Sequence, residues 1–219
     1  MADFYKELIR LRNRVLRLGS MIEKAIQDSV RSLVERKSDL AKNVIKRDKQ
    51  INTLDIAIDE ECIRLIALGK LKARDLRFVA TTLKITTDLE RIGDLAANIA
   101  KRAIELNKEP QLKPYIDIPR MAGIAQEMVK DSLNAYVKGC TSLPYKIIKT
   151  ENEMDKLMEQ VFNELLFYMI QDPRNVSRAI RISHVAKNLE RIADHATNIA
   201  EMVIFMCEGK LIRHTVIPE

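Results

Sequence analysis

The sequence predicts an all-α protein built as two tandem, similar three-helix bundles. Three observations predict it. The stretch Leu89-Glu90-Arg91-Ile92-Gly93-Asp94-Leu95-Ala96-Ala97-Asn98-Ile99-Ala100 returns as Leu189-Glu190-Arg191-Ile192-Ala193-Asp194-His195-Ala196-Thr197-Asn198-Ile199-Ala200, with nine of twelve residues identical. A repeat this close marks an internal duplication, and at 219 residues it divides the chain into halves of ordinary domain size. Apolar residues recur at alternating spacings of three and four, the period of a packed helix. Between the halves, Asn107 to Pro119 carries Pro110, Pro114 and Pro119, a natural break.

The first helix begins near Asp3 and runs to about Lys37, with Phe4, Leu8, Leu11, Val15, Leu18, Ile22 and Ala25 as its seam. Its other faces carry Arg10, Arg12, Arg14, Arg17, Lys24 and Arg31, either a solvated surface or a docking surface for an acidic partner. Ser38 or Asp39 is expected to cap the second helix, whose seam is Ile51, Leu54, Ile58, Cys62 and Leu65. Beside that seam runs an acidic stripe, Asp48, Asn52, Asp55 and Asp59. Gly69 ends this helix and Asp75 caps the third, with Ile85, Leu89, Ile92, Ala96, Ile99 and Ala103 as its seam.

The pattern then repeats. Asp48, Ile51, Asn52 and Leu54 align with Glu151, Met154, Asp155 and Leu157, and Gln171-Asp172-Pro173-Arg174 forms the turn before a last helix ending near Glu208. The expected bundles cover residues 1–108 and 117–209, followed by a tail over 210–219. Short loops make neighbouring helices antiparallel.

Composition narrows the function classes. The net charge is +6 and the pI about 9.2, which suits nucleic acid, an anionic membrane surface or an acidic protein. The basic residues are dispersed and aromatics few, so direct nucleic-acid binding is not expected. Cys62, Cys140 and Cys207 are far apart and odd in number, which fits buried thiols in a reducing cytoplasm. The first residues lack a secretory signal pattern, and no apolar run approaches the ~20 residues of a membrane span. A cytoplasmic protein is expected. Phosphate-cradling Gly-rich loops, nucleophile elbows and metalloprotease motifs are missing, so no enzyme activity is expected.

The repeated motif carries the chemistry. Glu90 and Asp94 lie one turn apart, on a helix face about 100° or more from the seam. If the second and third helices are antiparallel about their loop, Asp48 faces Asp94 and Asn52 faces Glu90. The same register sets Glu151 opposite Asp194 and Asp155 opposite Glu190. Each bundle thus gathers four oxygen-bearing side chains: Asp48, Asn52, Glu90 and Asp94, then Glu151, Asp155, Glu190 and Asp194. Such acids repel one another unless a cation intervenes. Either Arg91 and Arg191 fold across them as salt bridges, or a metal bridges them, with Mg, Ca, Mn and iron all suited to hard oxygen ligands.

The duplicated Leu-Glu-Arg-Ile-Gly/Ala-Asp motif, with an acidic-x-x-x-Asn/Asp motif ahead of each copy and Ile58-Asp59-Glu60-Glu61-Cys62, resembles the PhoU family of bacterial phosphate-uptake regulators. The resemblance implies action beside the phosphate ABC transporter ATPase and its sensor histidine kinase, peripheral to the membrane through those partners, repressing the starvation response when phosphate is plentiful. It also implies multinuclear iron or other divalent ions on Glu90/Asp94, Glu151/Asp155 and Glu190/Asp194. Asp48/Asn52 departs from the doubly acidic form, so the first site is expected to bind more weakly or to recruit Asp55 or Asp59. A homodimer is a further expectation. The alternative is a ferritin-like di-iron oxidase or metal-storage bundle, which requires Glu-x-x-His. None of His184, His195 and His214 follows a Glu at that spacing.

Overall fold

The computed structural model describes residues 2–139 and 141–210, with side chains described from Tyr5 onward. Six helices account for nearly all of it: α1 (Ala2–Val34), α2 (Ser38–Ala67), α3 (Ala73–Leu106), α4 (Asp117–Lys138), α5 (Ser142–Gln171) and α6 (Val176–Glu208). A short 3-10 turn, Pro173–Asn175, leads into α6. Cys140, His214 and most of the tail lie outside the described residues, as does the side chain of the expected seam residue Phe4.

The seams are buried as their spacing requires. Leu11, Val15, Leu18 and Ile22 of α1 meet Ile51, Ile58, Cys62 and Leu65 of α2 and Ile85, Leu89, Ile92, Ala96 and Ile99 of α3, all fully shielded or nearly so. In the second half Met121, Val129, Met154, Leu157, Val161, Leu189, Ile192 and Ile199 play the same parts. Each fully buried aliphatic side chain contributes roughly 1.5–3 kcal/mol, and this burial is what holds the long helices in place.

The helix ends differ from the capping expected. Lys37, not Ser38 or Asp39, occupies the cap position of α2, and no side chain caps the helix. The reversal from α1 to α2 is too tight for a capping side chain to turn back, and Ser38 Oγ instead accepts a bond from Asn107 Nδ2 at 3.3 Å. Arg36 sits in the left-handed region at φ 55°. Its guanidinium holds that strained turn by donating to the carbonyls of Asn107 and Glu109 at 2.9 and 2.7 Å. Asp75 likewise lies in the first turn of α3 behind the cap Lys72, where its charge faces the positive helix end. Gly69, at φ 63°, ends α2 as the spacing predicts.

The halves join through α3 against α6 and α1 against α4. Tyr136 of α4 stacks on Phe78 of α3 with ring centroids 5.4 Å apart and shares a buried hydrogen bond of 2.8 Å with Thr82. Asp88 of α3 accepts from His195 Nδ1 at 2.8 Å and Asn198 Nδ2 at 3.4 Å, both on α6. The linker between α3 and α4 is tied down from both sides, because Arg36, Arg178 and Arg181 all reach Glu109. Lys113, almost fully buried, pairs with Glu164 of α5. Among the described residues no helix is long and apolar enough to cross a membrane.

Candidate functional site

The two acidic sets sit where α2 meets α3 and where α5 meets α6. Gly93 makes the first approach close: a Cβ there would lie 3.1 Å from Ile51 Cγ2 and 3.7 Å from Asp48 Oδ1. Asp48 of α2 thus hangs over the middle of the Glu90-x-x-x-Asp94 turn.

The electrostatics couples Asp48 with Asp94 and Glu151 with Asp194, two of the four pairings of the register. Burial pushes the Asp48 carboxyl up, and the charge of Asp94 adds to it. Glu90 is raised first by burial, then by Asp94, with Asp48 contributing and Arg91 opposing. In the second half, burial and then Asp194 raise Glu151, while the Thr197 hydroxyl offsets part of the shift. Asp194 is raised by burial and then by Glu190, with Asp155 adding to it. The structure therefore brings Asp48 to Glu90 and Asp94, and Glu151 and Asp155 to Asp194. Asp155 itself is exposed at the rim, whereas Asp48, Asn52, Glu90, Asp94, Glu151, Glu190 and Asp194 are half-buried.

Asp55 matters more than the register alone foretells. Its carboxyl is pushed up to about 6 by burial, then by Asp59 and Glu90. Asp59 accepts from Thr86 Oγ1 at 3.1 Å, a partner that the acidic stripe gave no hint of. The position of Asp55 is filled by Met158 in the second half, so Asp55 is an acid beside Glu90 that the second half lacks.

Salt bridges account for the acids only in part. Arg91 lies 3.6 Å from Glu90 and 3.7 Å from Asp94, beyond hydrogen-bond length and well exposed, so it screens them weakly. Arg191 makes no such bridge among the described residues; Lys187 pairs with Glu190 instead, because Arg191 turns into a neighbouring cleft. Three buried oxygens of the α2 stripe, Asp48 Oδ1, Asn52 Oδ1 and Asp55 Oδ1, accept no hydrogen bond. Orphaned buried acceptors are costly, and hard oxygens in a row suit a cation in chemical type. In placement the sets fall short of a closed cage: among the described residues no three His, Cys, Asp or Glu side chains converge on one ion position. The donors suit a cation in chemical type, and their placement does not gather them around one ion position.

The whole sequence and fold were compared with known proteins. The sequence model of the PhoU domain matches the chain twice, over residues 15–103 and 118–203. The chain belongs to the PhoU family. Among its PhoU relatives, the phosphate-specific transport system accessory protein PhoU homolog of Aquifex aeolicus is 42% identical over 215 residues, covering 98% of this chain and 97% of that protein. The crystal structure of PhoU from Pseudomonas aeruginosa superposes with a TM-score of 0.91 at 37% identity, covering 94% of this chain and all of that one. The phosphate transport system regulatory protein PhoU from Streptococcus pneumoniae gives 0.88 at 29% identity, covering 95% and 98%. The duplicated PhoU domain accounts for the tandem bundles and for both copies of the Leu-Glu-Arg-Ile motif.

Proposed function

We propose that this protein is a non-catalytic regulator of phosphate uptake and phosphate-starvation signalling. It works in the cytoplasm as an adaptor between the phosphate ABC transporter ATPase and its sensor histidine kinase, holding the response down when phosphate is plentiful. The observation that carries this reading is kinship along nearly the whole chain with proteins named as accessory or regulatory components of phosphate transport. Six long helices suit a scaffold that meets partners by its faces. Affinity capture of the transporter ATPase and the sensor kinase on the immobilised full chain, at high and low phosphate, tests the reading. Retention of either partner, stronger at high phosphate, is expected; retention of neither overturns it.

The two acidic sets are proposed to take divalent or iron ions: Asp48, Asn52, Glu90 and Asp94 with Asp55 in the first half, Glu151, Asp155, Glu190 and Asp194 in the second. A bound cation would neutralise carboxylates whose burial now disfavours their charge. The chain's own contribution is positional, because each set draws one pair from each helix of an antiparallel hairpin and so ties the hairpin together. Metal analysis of the wild type beside Glu190→Ala/Asp194→Ala checks the assignment; equal metal content in both refutes it. A ferritin-like oxidase would need nitrogen ligands, and the described histidines are engaged elsewhere: His195 on Asp88, His184 in the cleft between α3 and α6.

A further inference from the structure

A cleft of about 360 Å³ opens where α3 crosses α6, beside the acidic sets, which its Lys187 meets through Glu190. Its cations come from both helices: Lys101 and Arg102 from α3, Lys187 and Arg191 from α6. The amides of Asn98 and Asn188 and the imidazole of His184 complete the lining, with no carboxylate and no apolar side chain among them.

The positive charge is only partly spent. Arg102 donates to Glu105 Oε2 at 2.7 Å and Lys187 pairs with Glu190. Lys101 Nζ donates to the Asn98 carbonyl at 3.0 Å, an arrangement that leaves the Asn98 amide N–H groups for another acceptor. Arg191 has no carboxylate within ion-pair reach among the described residues. Lys101 and Arg191, from opposite walls of the cleft, have no ion-pair partner among the described residues, although the charge of Lys101 is felt at Asp48.

The duplication supplies an internal control. Because α3 and α6 cross antiparallel, a second seam holds the equivalent residues one hundred positions away: Thr87 for Lys187, Asp88 for Asn188, Glu201 for Lys101 and Met202 for Arg102. There the acid Asp88 is closed off by His195 and Asn198. The same scaffold thus makes a closed, acid-bearing seam in one place and an open, basic one in the other. With Lys84 standing for His184, five of the seven lining residues differ between the seams, so repetition of the helices does not explain the basic cleft.

From this geometry we infer that the α3–α6 cleft is a binding site for a phosphate group, carried by inorganic phosphate or by a small phosphorylated molecule. Guanidinium and ammonium groups from opposite walls, with amide N–H donors between, match a tetrahedral anion that offers acceptors on every side. At about 30 Å³ of liquid volume per water, the cleft holds a phosphate with much of its hydration shell. No aromatic ring lines it to stack a nucleobase, so the phosphate itself is what the site recognises. The inference stands on the cleft and does not rest on the partners proposed above, although Lys187 links the cleft to Glu190 of the second acidic set.

Isothermal titration calorimetry of the full chain with inorganic phosphate, and separately with ATP, in chloride at about physiological ionic strength, tests it. Saturable binding is expected, weakened about tenfold or more in Lys101→Ala/Arg191→Ala, whose side chains are exposed, and unchanged in the surface control Lys49→Ala/Lys130→Ala. Asn188→Asp installs the acid that the other seam already accommodates, and is expected to abolish binding with the thermal melt intact. Tighter binding of free phosphate than of ATP assigns the free ion; the reverse assigns a phosphorylated small molecule, and either supports the site. Failure of both ligands to bind the wild type at millimolar concentration overturns it. So does equal binding to wild type and Lys101→Ala/Arg191→Ala, or a non-saturating heat that moderate salt removes.

Discussion

Asp55 offers a direct measure of how much the acidic stripe costs the fold. Burial, then Asp59 and Glu90, raise its carboxyl from 3.8 to about 6. A carboxyl raised in the folded state stabilises the protein fully below its unfolded pKa, and that contribution is lost as pH rises through the folded value. Between about pH 4 and 6, therefore, this group alone makes stability fall with rising pH. A shift of about 2 units corresponds to roughly 3 kcal/mol at most. The side chain is half-exposed, and solvent screening about halves this, leaving on the order of 1.5 kcal/mol. Asp55→Asn removes the charge at nearly constant shape. In chelator at about pH 8 it should melt about 4 °C above the wild type, at the usual 2–4 °C per kcal/mol for a chain of this size. The gain should shrink towards zero near pH 4, where the wild-type carboxyl is protonated in both states. Circular dichroism melts at several pH values read it out. An Asp55→Asn variant no more stable than wild type at pH 8, or equally stabilised at pH 4, refutes the reasoning that buried, repelling acids strain this hairpin.

Tyr136→Phe removes the shared hydrogen bond with Thr82 at 2.8 Å and should cost about 1 kcal/mol, whereas Tyr136→Ala also vacates the stack on Phe78 and should cost about 3–5 kcal/mol in urea unfolding. The Cys62 thiol, pushed up to about 12 by burial and then by Asp59 and Glu61, should be about a ten-thousandth ionised at pH 8. Thiol-specific labelling followed by peptide mass analysis should find it unmodified in the native protein and labelled in denaturant. Two glycines should respond oppositely to alanine in thermal melts. A Cβ on Gly19 of α1 overlaps Leu133 Cδ1 of α4, so Gly19→Ala is destabilising by about 1 kcal/mol after the gain in helix propensity. Gly123 of α4 has nothing within 4 Å of that position, and Gly123→Ala should stabilise by about 0.5–1 kcal/mol.

The legible part of this protein is the part written at helical period. Ile85, Leu89, Ile92, Ala96, Ile99 and Ala103 announce the buried face of α3, and all six are buried. A short loop then fixes how α2 lies on α3, which is why counting along the chain sufficed to set Asp48 against Asp94 and Glu151 against Asp194. Helix ends were less readable: Ser38 and Asp39 are good caps in isolation, but the tight turn at Arg36 puts Lys37 in the cap position, and at the start of α3 Lys72 takes it in place of Asp75. The contact between α3 and α6 was not readable at all. No short loop sets its register, so neither the Asp88–His195 bond nor the cleft containing Arg191 could be found by periodicity. Thr86 and Thr197 were opaque for a related reason: a threonine beside a seam gives no sign of which acid it will face.

The differences between the two motif copies have a structural logic of their own. Leu89 and Leu189 are core residues and Asp94 and Asp194 outward acids, the same in both copies. Two of the differences between the helices, Asp88 against Asn188 and Leu95 against His195, fall where α3 meets α6. Paired as they are within one chain, Asp88 finds an imidazole and an amide. If α3 instead paired with α3 of a second copy through the same crossing, Asp88 would face Leu95 where His195 now stands, and the half-buried carboxylate would lose its nearest donor. An unpaired buried charge costs several kcal/mol, so these few differences select α6 over a second α3 as the partner.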